Sequence, residues 1–216
     1  MPRAFTGTEK ETIRGRLIES GRECFGRYGL SKTTIEDLVK PAGIAKASFY
    51  LFFESKEALY IETVMAEIPA MIDRLLAASF RKTADTRDAL VLLMKAMVHE
   101  IETNPITRVL LGDPSDIERL TATLDVKKIL GQARTMFAPL LDEIRKAQAK
   151  GEMIDGDPQE LLHTLGLIKM YPVNKRRVPE PIYNTMLDRS ARVIADGLTC
   201  PARAARKTTR RKSEGS

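Results

Sequence analysis

Cysteine and histidine are scarce in this 216-residue chain, with two of each. Cys24 and Cys200 stand far apart in sequence, which argues against a structural disulfide and for a reducing compartment. His99 and His163 have no Cys or His beside them at ligand spacing, so a zinc finger is excluded and no metal or other cofactor is expected. The chain opens without a charged-then-apolar leader, and no apolar run approaches the roughly 18 residues that a membrane helix needs. The expectation is a soluble cytoplasmic protein with no membrane partner. Catalytic fingerprints are missing too: there is no G-x-S-x-G, no H-E-x-x-H and no dinucleotide-binding glycine pattern. The glycines at Gly21 and Gly26 fall short of a phosphate loop, because no Lys-Ser or Lys-Thr follows and the segment lies inside a helical pattern. Asp113 with Asp116, and Asp155 with Asp157, sit at turns where acidic residues cap helices. No catalytic residue is nominated, an enzyme is not expected, and no internal repeat is present.

Charge says less than the total implies. The net charge is +6, but the last sixteen residues carry Arg203, Arg206, Lys207, Arg210, Arg211 and Lys212 against Glu214. The basic balance is therefore mostly a property of this tail. Residues 201–216 have almost no large apolar side chain and cannot fold alone. Phosphate contact on a nucleic acid and simple solubility are both open roles for them. Residues 1–60 hold ten Lys or Arg against eight Asp or Glu, too narrow a margin to argue nucleic-acid binding from charge.

What is present is helical periodicity along most of the chain. Residues 1–8 read as a short arm. Ile13, Leu17, Gly21, Cys24, Phe25 and Tyr28 place a supporting helix over 9–28, stopped at Gly29. A long helix over 58–80 follows, capped by Ser55, with Pro69 expected to kink it. The next runs over 86–103 and is stopped by Asn104-Pro105. After an interruption at 112–115, residues 116–150 read as one or two helices with a bend at Pro139. Residues 151–158 form a turn. The last two helices are predicted over 158–171 and 181–198, joined by a basic, solvated loop. Along the last, Ile182, Met186 and Val193 make one stripe, and Tyr183, Leu187, Ala191, Ile194 and Leu198 make another beside it. So wide an apolar surface implies a partner helix.

Between the first helix and the long one lies Thr33–Lys56, around which the chain is organised. Thr33 and Glu36 have the spacing of a capping box, and Ile35, Leu38 and Val39 supply an apolar face. Lys40-Pro41-Ala42-Gly43 breaks it with a tight turn, Gly43 being free to take a positive φ. A second helix is predicted over 44–53. If Ile44, Phe49 and Phe53 are buried, Lys46, Ala47, Ser48 and Tyr50 face outward. Lys reaches guanine or phosphate, Ser bonds base edges or phosphate, Ala touches a thymine methyl and Tyr reaches a phosphate oxygen. Lys56 is a cation in the first turn of the next helix, opposing its dipole, which makes sense if a phosphate sits there. The spacing is that of a helix-turn-helix.

The run from Thr33 through the Ala42-Gly43-Ile44 turn, Lys46-Ala47-Ser48-Phe49-Tyr50, Phe53 and Ser55-Lys56-Glu57-Ala58-Leu59 resembles the DNA-binding signature of the TetR family of bacterial transcriptional regulators. The resemblance covers roughly residues 12–60. It implies an all-α homodimer: an N-terminal three-helix helix-turn-helix head, placed over 1–56, and a larger C-terminal helical bundle for ligand sensing and dimerisation, placed over 57–200, ahead of the basic tail at 201–216. By position, Lys46, Ala47 and Ser48 match base-reading residues, and Thr34, Tyr50 and Lys56 match phosphate-contacting ones. Thr33 completes the candidate DNA-contacting set. The last two helices of each subunit are expected to pair as a four-helix interface, matching a two-fold operator on double-stranded DNA. Three positions depart from the family pattern: Ala45 replaces a capping Ser, Pro41 a charged residue, and Phe52 a His or Tyr.

The resemblance also implies an effector pocket in the body. Met94, Met97, Met136 and Phe137 are its candidates, with His99 as a polar contact, since soft side chains suit an apolar ligand. Plain core is the other reading of methionine at helical spacing. The whole reads as a repressor released from a palindromic operator by an unidentified small molecule. The rival is a helical small-molecule-binding or enzymatic domain whose head no longer reads specific DNA, favoured only by the three departures.

Overall fold

A computed structural model describes residues 5–106 and 135–200. Every regular element among them is helical, with one isolated antiparallel bridge between Met153 and Thr199. No helix there is long and apolar enough to cross a membrane.

The first helix, α1, spans Gly7–Lys32 and starts from a reciprocal capping box in which Thr6 N donates to Glu9 Oε2 at 2.8 Å. Its backbone leaves helical geometry at Gly29 (φ 77°, ψ 171°), the predicted stop, after which a further turn carries the chain to Thr33. Then come α2 (Ile35–Ala42), α3 (Lys46–Phe49), α4 (Lys56–Ala78) and α5 (Thr86–Thr103). Ser55 caps α4 by accepting from Ala58 N at 3.0 Å. The helix runs unbroken through Pro69. Asp85 caps α5 in the same manner.

The expectations for 112–115 and for most of 116–150 lie outside the described residues. The chain resumes before α6 (Ala138–Ala149), where Pro139 begins the helix rather than bending it, because the first turn needs no N–H from it. The helix α7 (Pro158–Gly166) then passes into a 3-10 turn (Leu167–Lys169), the short helix α8 (Met170–Asn174) and a second 3-10 turn (Lys175–Arg177). A basic loop was expected over these last residues, and they are helical instead. The last helix, α9, spans Glu180–Leu198.

Two apolar clusters hold the chain together. One gathers Leu17 and Phe25 of α1, Leu38 of α2, Phe49 of α3 and the first turns of α4 at Leu59, Tyr60 and Val64. The other gathers α4 from Ile68 onward with α5, α6, α7 and α9, including Leu93, Met94, Ile144, Leu165 and Ala191. Each fully buried Leu or Phe contributes about 2 kcal/mol through lost contact with water. A boundary at residue 56 cuts the first cluster, since Leu59, Tyr60 and Val64 belong to it. So does Ile106, just beyond α5, which is 2% exposed and packs with the head. Beside it Pro105 presses on α1, where a Cβ added to Gly26 would lie 3.2 Å from the proline ring.

Polar contacts fix α9 on α5. Lys95 pairs with Asp188 and Arg87 with Asp196, and Tyr183 donates to Glu102 at 2.8 Å. Arg192 and Lys95 together hold the Asp188 carboxyl down at about 2. Burial and the Glu102 carboxylate push the Tyr183 hydroxyl up. Of the two stripes, Tyr183, Leu187, Ala191, Ile194 and Leu198 face the core, whereas Ile182, Met186 and Val193 face out. Leu167, Met170 and Val173 are also exposed.

Candidate nucleic-acid interface

The cap at the start of α2 lies one residue later than expected. Thr34 is the cap: Asp37 N donates to its hydroxyl at 3.3 Å, and Thr34 N donates back to Asp37 Oδ2 at 2.9 Å. The expected Thr33–Glu36 box is not formed. Thr33 is 1% exposed, and its hydroxyl donates to the carbonyl of Gly29 at 2.7 Å. A hydroxyl spent on closing α1 and sealed from solvent offers nothing to a DNA backbone, which removes Thr33 from the contact set.

At the far end of α2, Gly43 takes φ 73° and its N–H reaches the Lys40 carbonyl, while Ile44 N reaches Val39 O at 3.3 Å. This pair of bonds closes the helix through a left-handed residue, as a glycine allows. Pro41 lies inside the last turn of α2 rather than in the turn proper. The second helix is shorter than the predicted 44–53: regular α geometry covers only Lys46–Phe49, and Ala45 at its cap has no side chain to accept a bond. Tighter turns continue it, with Phe52 N donating to Phe49 O at 2.9 Å.

Phe49 anchors the segment. It is fully buried and stacks on Phe53, ring centroids 5.9 Å apart, with Tyr50 edge-on at 5.5 Å. With that side pinned, Lys46 and Ala47 are exposed, Ser48 is half-buried and Tyr50 is 57% exposed. The candidates of this helix therefore stand together on or beside one outward face. Leu51, absent from the sequence reading, is 67% exposed and lies one turn beyond Ala47. From sequence it passes for core; only its place just past the anchor turns it outward. Phe52 is half-buried against Phe5 at 5.7 Å. Arg14 supports the loop from below, donating to Phe52 O at 2.7 Å with its guanidinium 4.3 Å above the Phe53 ring.

Lys56 does not present a free ammonium to a phosphate. Its Nζ donates to the carbonyls of Leu30 and Thr33 at 2.6 and 2.7 Å, so it ties the frayed end of α1 to the start of α4. The unfavourable place in the first turn is offset by these acceptors. Thr34 is exposed, yet its hydroxyl also donates to Asp37 Oδ2 at 2.6 Å and is committed to the cap.

Among the described residues the five pocket candidates take different places. Met94 and Met97 are buried core, Met136 and Phe137 pack against that core, and only His99 faces an opening. That opening is a cleft of about 380 Å³ between α4 and α5, lined by Glu67, Arg74, Glu100, Asn104, His99 and Thr103 with a few small apolar groups. Burial raises the Glu100 carboxyl, but hydrogen bonds from Arg74 and Asn104 outweigh it and leave it below the ordinary value. No cluster of metal-ligating side chains occurs among the described residues.

The model of a family described as bacterial regulatory proteins, tetR family, matches residues 17–63, which are α1 through the first turns of α4. Over those residues the chain is similar to the DNA-binding segment of the TetR family. Among curated relatives it is 39% identical over 61 residues to the uncharacterized HTH-type transcriptional regulator YvdT of Bacillus subtilis strain 168. That match covers 28% of this chain and 27% of YvdT, well under two thirds of the relative. A longer match, 24% identical over 163 residues, covers 68% of this chain and 73% of the HTH-type transcriptional regulator TtgR of Pseudomonas putida. The fold of a TetR family transcription regulator from Marinobacter aquaeolei superposes with a TM-score of 0.56 at 16% identity, covering 91% of this chain and 100% of that one.

Proposed function

We propose that this protein is a DNA-binding transcriptional regulator of the TetR family: a homodimer that represses from a palindromic operator and is released by a small-molecule effector. The observation that carries the reading is the pinned α3, with Phe49 buried and Lys46, Ala47, Tyr50 and Leu51 turned outward. A helix held by its inner side, with Lys46 and Tyr50 beside small and apolar groups on its outer one, suits a major groove. The outward stripe Ile182, Met186 and Val193 supports a second copy as the partner, since an exposed apolar stripe on a helix so well fixed marks an interface. Two heads related by that two-fold axis would meet two half-sites about one helical turn apart.

The cleft supports an effector with a polar or charged group, within the apolar or amphipathic class expected from the sequence. It stands where α4 leaves the head, so a ligand that favours one packing of α4 on α5 would shift the heads relative to the half-sites. The test is selection of bound sequences from random DNA by the full chain, followed by affinity measurements on a selected and a scrambled duplex at several salt concentrations. A selected site bound about a thousandfold or more tightly than the scrambled one carries the reading. Equal binding to both, falling steeply with salt, overturns it.

A further inference from the structure

The sequence assigns Glu36 to a helix cap, and the structure releases it from that duty. Its neighbour Asp37 makes the cap with Thr34 instead. Glu36 Oε1 accepts from Lys46 Nζ at 2.6 Å, across the turn that joins α2 to α3. Both side chains are more than half exposed. Their backbones are fixed from beneath, α2 by Leu38 and α3 by Phe49, both fully buried. The pair is therefore a contact between two held platforms, lying on the outward face described above. The hydrogen bond from Lys46 keeps the Glu36 carboxyl below its ordinary value, and Glu36 keeps the Lys46 ammonium above its own. At neutral pH both are charged.

A lysine on a reading face has two uses that compete. Its flexible stem lets it reach the phosphates of any sequence, while its value for specificity lies in reaching guanine O6 or N7. Neutralised by Glu36, the ammonium loses most of its attraction for a phosphate, and the carboxylate beside it repels one. Two of its three N–H donors still point elsewhere and remain available to a base edge. We propose that Glu36 is a positioning residue for DNA specificity, holding Lys46 away from phosphates so that it is used on bases. The proposal rests on the DNA-reading function above. It needs no new ligand, only that the exposed pair remain closed on the wrong DNA.

The experiment compares the full-length protein with its Glu36→Gln, Lys46→Met and doubly substituted forms on a selected and a scrambled duplex, each over a range of salt. Release of Lys46 onto a phosphate should steepen the salt dependence on scrambled DNA by about one unit of slope. The scrambled-DNA affinity of Glu36→Gln should rise about fivefold or more at low salt, while the selected duplex gains less, so the ratio between them falls. With Lys46→Met already present, Glu36→Gln should leave the slope unchanged. A Glu36→Asp form, which keeps the charge, should recover part of the ratio, and thermal melting shows whether each head is folded. The proposal is overturned if Glu36→Gln changes both duplexes by the same factor, or if it steepens the slope without Lys46. If the unsubstituted protein itself prefers no sequence, the DNA-reading function has failed first, and that arm shows it.

Discussion

Arg74 on α4 grips Glu100 on α5 through two bonds, Nε to Oε2 at 3.1 Å and Nη2 to Oε1 at 2.5 Å. The same Nη2 donates to Glu67 at 2.8 Å, and Arg22 of α1 lies 2.9 Å from the other Glu67 oxygen. Two carboxylates almost sealed from solvent are thus met by cations that reach in from the head and the body. Arg74→Met should leave Glu100 buried with Asn104 still beside it and destabilise the protein by about 1–3 kcal/mol, discounted because the arginine is half exposed. Urea unfolding at one fixed protein concentration measures it.

Acid should weaken the same joint. The Glu100 carboxyl lies below its ordinary 4.5 in the folded protein, so the folded state binds the proton less readily than the unfolded chain does. Its stabilising contribution is complete above the ordinary value and is lost as pH falls through the lower one. Melting temperatures between pH 6 and 3 should fall less steeply for Glu100→Gln than for the native chain, although Gln starts lower. Parallel curves would show that Glu100 does not supply the pH dependence.

Lys56 and Tyr50, alike as phosphate candidates in sequence, should separate on substitution. Lys56→Met removes a donor from the Leu30 and Thr33 carbonyls and should cost about 1–2 kcal/mol of stability. Tyr50→Phe should leave stability within about 0.5 kcal/mol, as expected of an exposed site, and weaken binding to selected and scrambled DNA by a similar factor. Paired melting and DNA titrations of both forms decide it.

Val193→Glu places a charge on the outward stripe of α9, 65% exposed in the single chain. In the proposed dimer it is buried without a counter-charge, so sedimentation should show monomers with unchanged helix content by circular dichroism. A dimer as strong as before would place the interface elsewhere.

Close approach of α1 to α4 is set by Gly21, where an added Cβ would meet Thr63 Oγ1 at 2.7 Å. Gly21→Ala should therefore lose about 1–2 kcal/mol despite its better helix propensity, since the Thr63 hydroxyl is itself bonded to Leu59 O. Adding Thr63→Ala should return part of the loss in a double-mutant cycle by thermal unfolding.

The helices were readable because apolar periodicity and end signals agree along most of the chain: α5 follows its expected bounds of 86–103, and α9 begins one residue before its own. Capping register was not, because Thr33 with Glu36 and Thr34 with Asp37 satisfy the same local rule, and only burial of Thr33 against Gly29 separates them. The role of Lys56 was hidden for a similar reason, as its acceptors lie 23 and 26 residues upstream. Leu51 and Met94 show what hydrophobicity leaves open. Hydrophobicity alone predicts neither that Leu51 faces out nor that Met94 is fully enclosed.

Ile106 gives the head a late closing date. A ribosome that has released α1 through α4 has delivered the three helices and the linker, yet the apolar floor under Gly26 stays open until Pro105 and Ile106 emerge. The apolar floor of the reading head is therefore completed in chain order only after α5, the element that carries half of the Arg74 joint, has been made.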